Sequence, residues 1–308
     1  MAGSVFTLPV CGVIAIALWW WPEGTFSVRN VLGLLLCLLT TYIVMETNAQ
    51  QHVIRIRTRM MSCVWLVLSA CLAFMHPLSD PLIAAAFLCT AYHLLFHCYQ
   101  RHRPQALVFH VFLMLGVGSF FAPVMLPMAV PFFIYLIVFL RSLTRKAFWA
   151  GILGLIVPYW CYAVWCIIDP LKTSPSIGNL PFILRIEGGV EGILTLPFSV
   201  QVSAAFIALL SVISIIHYLR TNYDDKIRVR MILYIYVSQT LLLMAFFLLQ
   251  PAHYQTTMAL IIASASPLIA HFFALSRSIL SNLFFVLSLL LTTAVAVLNL
   301  WMTSFSFS

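Results

Sequence analysis

The sequence predicts an all-α, polytopic transmembrane helix bundle of about eleven spans, with the N-terminus cytoplasmic and the C-terminus external. Three observations predict it. Hydrophobic residues make up 63% of the chain and charged residues 8%. A soluble domain carries roughly 25% charged residues, so this chain could not cover a water-facing surface. Its apolar residues fall into runs close to the ~20 residues that cross a hydrocarbon core as a helix. Its Lys and Arg collect in alternate gaps between those runs: Arg55, Arg57, Arg59; Arg101, Arg103; Arg141, Arg145, Lys146; Arg220, Lys226, Arg228, Arg230; and Arg277. Only Arg29, Lys172 and Arg185 occupy the other gaps. Basic residues beside spans are retained on the cytoplasmic side, so the distribution sets orientation as well as class.

The first run, Val5–Trp21, has no basic segment before it and ends in Trp19-Trp20-Trp21-Pro22, not a small-residue cleavage site. It reads as a retained span rather than a signal peptide. Val31–Met45 and Met60–Met75 follow as short spans, then Leu82–Tyr99. Ala106–Ala122 and Val124–Leu140 have no polar loop between them, yet one helix over both would be on the order of 50 Å long, too long for a bilayer. Pro123, Pro127 and Pro131 supply a turn and a helix start. A fused span would also put Arg141, Arg145 and Lys146 on the side opposite Arg101 and Arg103, so the charges argue for a hairpin. Ala147–Ile168 carries Gly154 and Pro158, which predict a kink. Val200–Leu219, Met231–Leu249, Tyr254–Leu275 and Ile279–Met302 complete the set.

The one long gap, Asp169–Ser199, falls outside on this count and opens with a turn-rich segment, Asp169 to Pro175. Phe182, Ile183, Ile186 and Val190 then share a helical face, with Arg185, Glu187 and Glu191 between them. Gly188, Gly189 and Gly192 would interrupt a stable helix. A short interfacial segment lying against the bundle fits this composition, as does a plain connector dipping into headgroups. Residues 1–308 otherwise form a single membrane domain. The eight Cys all lie in apolar runs and read as small core residues. Cys161 and Cys166 sit about 140° apart around one helix, which argues against a disulfide.

Composition also excludes partners. The net charge of +8 lies in short gaps beside spans, where contact with anionic membrane lipids explains it and nucleic-acid binding does not. No P-loop, dinucleotide-binding glycine motif or nucleophile elbow is present, so no cofactor is implied. All eight acidic residues lie in gaps or at span ends. Ion-coupled transporters place an ionisable group near the midplane, so their class loses ground while uncoupled movement does not.

Two constellations could carry chemistry inside the bundle. His93 and His97 share a helical face, and antiparallel return of the next span puts His110 at similar depth, so three imidazoles could converge on a metal ion. The competing reading is histidines bonding neighbouring helices, with no carboxylate behind them. Near the midplane, Ser238-Gln239 faces Ser264, Ser266 and Pro267 in the following span. Pro267 frees the carbonyl of Ala263, and Ala259 and Ala263 let a neighbour approach closely. Gln239 bonding into this break is the expected contact; a substrate path is its alternative.

His97-Cys98-Tyr99-Gln100, and the basic turn at Arg141 leading to Gly151, Gly154 and Pro158-Tyr159, resemble a family of uncharacterised multi-spanning inner-membrane proteins of Bacteroidota. The resemblance covers about a third of the chain and implies inner-membrane localisation, with no activity to carry to particular residues. Three functions compete. The first is a structural or assembly component of a cell-envelope system, with envelope-protein partner subunits. The second is an enzyme or carrier for lipid-linked glycan or polyisoprenoid substrates. There Arg185 would pair a phosphate and Glu187 or Glu191 would act as base, with Asp169 a further acid in the same external loop. The third is an uncoupled transporter lined by Gln239 and the Pro267 break.

Overall fold

The computed structural model describes residues 7–20, 27–168, 189–276 and 279–305. The described residues form helices and turns with no strand. The helices are α1 (Thr7–Trp20), α2 (Val28–Gln51), α3 (Met60–Ala70), α4 (Asp80–Phe96), α5 (Gln105–Gly118), α6 (Ala129–Val138), α7 (Arg145–Ile168), α8 (Gly189–Leu194), α9 (Phe198–Thr221), α10 (Ile227–Leu249), α11 (Tyr254–Leu275) and α12 (Ile279–Phe305).

Every expected apolar run coincides with a helix, but lengths differ. Among the described residues six helical segments are long and apolar enough to cross a membrane: those of α2, α7, α9, α10, α11 and α12. α1, α3, α4, α5 and the segment Pro123–Val138 are shorter. The causes are local. α3 stops at Ala70 because the chain turns through the 3-10 segment Ala73–Met75, and α4 restarts at Asp80 with a proline in its first turn. Pro123 opens another 3-10 turn, which delays α6 to Ala129.

The proline-rich hairpin is present. The Gln100 N–H ahead of α5 donates to the Leu140 carbonyl beyond α6 at 3.0 Å, so the outer ends of the two helices meet. Phe112 of α5 stacks on Phe133 of α6 with ring centroids 4.1 Å apart. α5 and α7 form the closest pair, because Gly154 faces the Phe109 carbonyl without a side chain between them. The Pro158 ring lies 3.1 Å from where a Cβ on Gly116 would sit, so the proline works as a packing element inside an unbroken α7.

α11 is the hub. Thr257 through Phe272 are all buried, and the helix packs against α3, α4, α9 and α10. A helix apolar all round belongs in an interior, and Ala259, Ala263, Ala265 and Ala270 let four neighbours come close. By contrast α7 presents Trp149, Leu153, Ile156, Trp160 and Ile167 outward. An outer face this apolar is satisfied by lipid and not by water.

The loops sort into two ends. Gln50 of α2 bonds His97, Gln100 bonds Leu140, and Arg55 pairs with Asp224 and Asp225, so the turns after α2, α4, α6 and α9 share one end. At the other end Trp19 donates to Asn30, Arg29 donates to Leu78, and Gly192 packs on Pro251. Every described Lys and Arg except Arg29 lies at the first end. The segment read as interfacial contains α8, which begins at Gly189 in the left-handed region (φ +46°), so this glycine starts a helix that it was expected to interrupt.

Candidate functional site

The basic end is built around the loop between α2 and α3. α2 ends when His52 turns into the left-handed region (φ 52°, ψ 45°). The Asn48 side chain then holds the loop, donating to the Thr58 carbonyl at 2.9 Å and accepting from the Ile54 N–H at 3.2 Å. The Thr58 hydroxyl accepts the Met60 N–H at 3.1 Å and so starts α3. Between this loop and the last turns of α2 lies a cavity of about 760 Å³, with Arg55, Arg57, Arg59 and Glu46 on its wall beside Met45, Ile54 and Ile56.

Arg55 is fixed from the far side. Its Nε lies 3.0 Å from Asp225 Oδ1 and its Nη1 lies 3.4 Å from Asp224 Oδ2. The Asp225 carboxylate is fully buried, and its Oδ2 accepts the His271 Nε2–H at 3.1 Å. His271 is likewise fully buried and meets Tyr218 edge-on at 5.5 Å. An ionised carboxylate survives burial only with such partners, so Arg55 and His271 are what allow Asp225 to sit there. The cluster ties the α2–α3 loop, the α9–α10 turn and α11 together. Arg57 and Arg59 are exposed, and neither has a carboxylate within 4 Å among the described residues. The Glu46 carboxylate accepts from the Gln50 amide.

A second network adjoins it. His97 Nδ1 meets the His93 carbonyl at 2.7 Å and its Nε2 meets Gln50 Oε1 at 2.7 Å. Arg228 donates to Gln51 and lies 5.7 Å from the centre of the Tyr99 ring. In the turn after α4 the Cys98 thiol is buried and donates to the Leu94 carbonyl at 3.7 Å.

The expected metal triad does not assemble. The rings of His93 and His97 lie 4.8 Å apart on one face, but His93 Nδ1 is bonded to Thr47 Oγ1 at 2.9 Å. His110 is exposed, with Nδ1 on its own helix at the Ala106 carbonyl. Among the described residues no three His, Cys, Asp or Glu are grouped as metal ligands. Gln239 does not bond into the proline break either. Its Oε1 accepts from Tyr135 Oη of α6 at 2.9 Å. Ser264 bonds Tyr92 Oη of α4 at 2.9 Å, and Ser266 donates to the Ile262 carbonyl at 2.5 Å. With Pro267 they are buried, and helix contacts occupy the two serines and Gln239. Glu191 is exposed in the first turn of α8; Asp169, Arg185 and Glu187 lie outside the described residues.

No family model, curated protein or solved structure matches this chain. The site therefore stands on its own residues. Sequence spacing alone gives no reason to pair Asp225 with His271, which lie 46 residues apart. One signal was available: Asp224-Asp225 is the sole acidic pair in a gap otherwise basic, with Arg220, Lys226, Arg228 and Arg230 around it.

Proposed function

We propose that this chain is a multi-pass inner-membrane protein acting as a structural or assembly component of a cell-envelope system. It would cross the membrane about eleven times, with the basic end cytoplasmic, the N-terminus inside and the C-terminus external. The observation that carries the assembly role is how the bundle uses its interior polar groups. Gln239, Ser264 and Asn299 are buried, and each bonds a neighbouring helix: Tyr135, Tyr92 and Ser203 respectively. Such contacts contribute roughly 0.6 kcal/mol each on average and make a bundle specific more than they make it reactive.

The orientation rests on retention of Lys and Arg at the cytoplasmic face, together with the gathering of these residues at one end. The short helices suit an assembly subunit, because a segment shorter than the hydrocarbon core is accommodated by local thinning or by association. The test is affinity purification of the tagged chain in mild detergent. A partner recovered in fixed stoichiometry is expected. A chain that purifies alone and carries a measurable activity by itself would overturn the proposal.

A further inference from the structure

The cavity beside the α2–α3 loop is lined by both charged and apolar side chains. Arg57 and Arg59 are exposed and without a carboxylate partner among the described residues. Met45, Ile54 and Ile56 contribute apolar surface to the same lining. Of the other ionisable groups there, Arg55 is paired with Asp225, Glu46 accepts from the neutral Gln50 amide and keeps its charge, and His52 is exposed, so the cavity carries three arginines against one carboxylate. The loop that presents both arginines is held by Asn48 on one side and by the Arg55–Asp225 pair on the other, so their backbone is placed before any ligand arrives. A further cavity, about 390 Å³ beside Ala204, Met244 and Met258, carries Gln201 but no charged side chain, and offers nothing to an ionic ligand.

We propose that this cavity is a binding site for a phosphate ester carried on an alkyl chain, that is, for an anionic phospholipid. Two guanidinium forks suit the oxygens of one phosphate, and each matches them in paired hydrogen bonds that an ammonium cannot make. The apolar side chains of the lining give the first carbons of the chain a surface to pack on at the level where a helix end meets the headgroups. A soluble phosphate would use only the arginines. The inference rests on the reading that the bundle is membrane-embedded, and it stands whether or not the chain assembles with a partner.

Native mass spectrometry of the detergent-released full chain, titrated with phosphatidylglycerol, with phosphatidylcholine and with inorganic phosphate, tests this. Phosphatidylglycerol should bind in preference to both others. R57Q/R59Q should weaken it on the order of 30-fold, from about 1 kcal/mol per arginine near an anionic lipid. R57K/R59K should keep a measurable part, and R101Q/R103Q, which alters a basic turn outside the cavity, should bind as the unaltered chain does. Equal losses in R57Q/R59Q and R101Q/R103Q would reduce the effect to general surface charge and overturn the site. So would binding of inorganic phosphate as strong as that of the lipid. Each variant must elute as a single peak, and R57K/R59K keeps the test decisive if R57Q/R59Q does not.

Discussion

Asp225 is held by one partner that water reaches and one that it does not. Arg55 is about a third exposed, whereas His271 is fully buried on α11. The two sides therefore differ in what they contribute. Asp225→Ala leaves the buried Nε2 of His271 without an acceptor, while Arg55 only turns outward. A hydrogen bond to a charged group contributes roughly 1.5–3 kcal/mol. Asp225→Ala should accordingly lower the midpoint of thermal unfolding in detergent by roughly 5 °C. Arg55→Ala should lower it by at least as much, since it leaves the buried Asp225 carboxylate without its cation. No effect from either variant would show that the cluster does not hold the three elements together. His110 illustrates a different limit at the same scale. Counting along antiparallel spans fixes the height of a residue but not the direction it faces around its helix. α5 is apolar on every side, so nothing in its sequence showed that Val108, Val111, Phe112 and Leu115 face inward and His110 outward.

Among elements, the α5–α7 pair depends on one atom that is missing. A Cβ on Gly154 would collide with the Phe109 carbonyl, and backbone cannot move aside as a side-chain tip can. Gly154→Ala should therefore cost about 1–3 kcal/mol as overpacking. Gly12→Ala in α1, where nothing lies within 4 Å, should be neutral or slightly stabilising through helix propensity. Comparing the two by thermal unfolding separates packing from propensity; a destabilised Gly12→Ala beside an unaffected Gly154→Ala would reverse the reading. Much at this scale was legible in the sequence. The apolar runs locate the helices, and the charges on either side of Pro123 and Pro127 distinguish a hairpin from one long helix. Helix ends were less legible, since a run such as Met60–Met75 stays apolar through the turn that stops α3 at Ala70. Partner choice was not legible. Gln239 was matched to the adjacent span, but Tyr135 of α6 reaches it, and no periodicity links residues 104 apart in the chain.

For the whole molecule, the segregation of basic residues to one end makes a directional statement. A phosphatase reporter fused after Ser308 should be active, and a cytoplasm-dependent reporter at the same place should be silent; the opposite pair would invert the proposed topology. The central position of α11 bears on how the molecule is made. Tyr92 of α4 waits for Ser264, which lies 172 residues later in the chain. At roughly 5–20 residues per second, ten to thirty seconds of synthesis separate the two. On the proposed topology, α3 and α4 spend that time in the membrane with the faces meant for α11 uncovered. The first third of the protein is thus a half-built socket until the last third arrives. A chain interrupted before Tyr254 would expose that socket to whatever chaperone or protease patrols the bilayer.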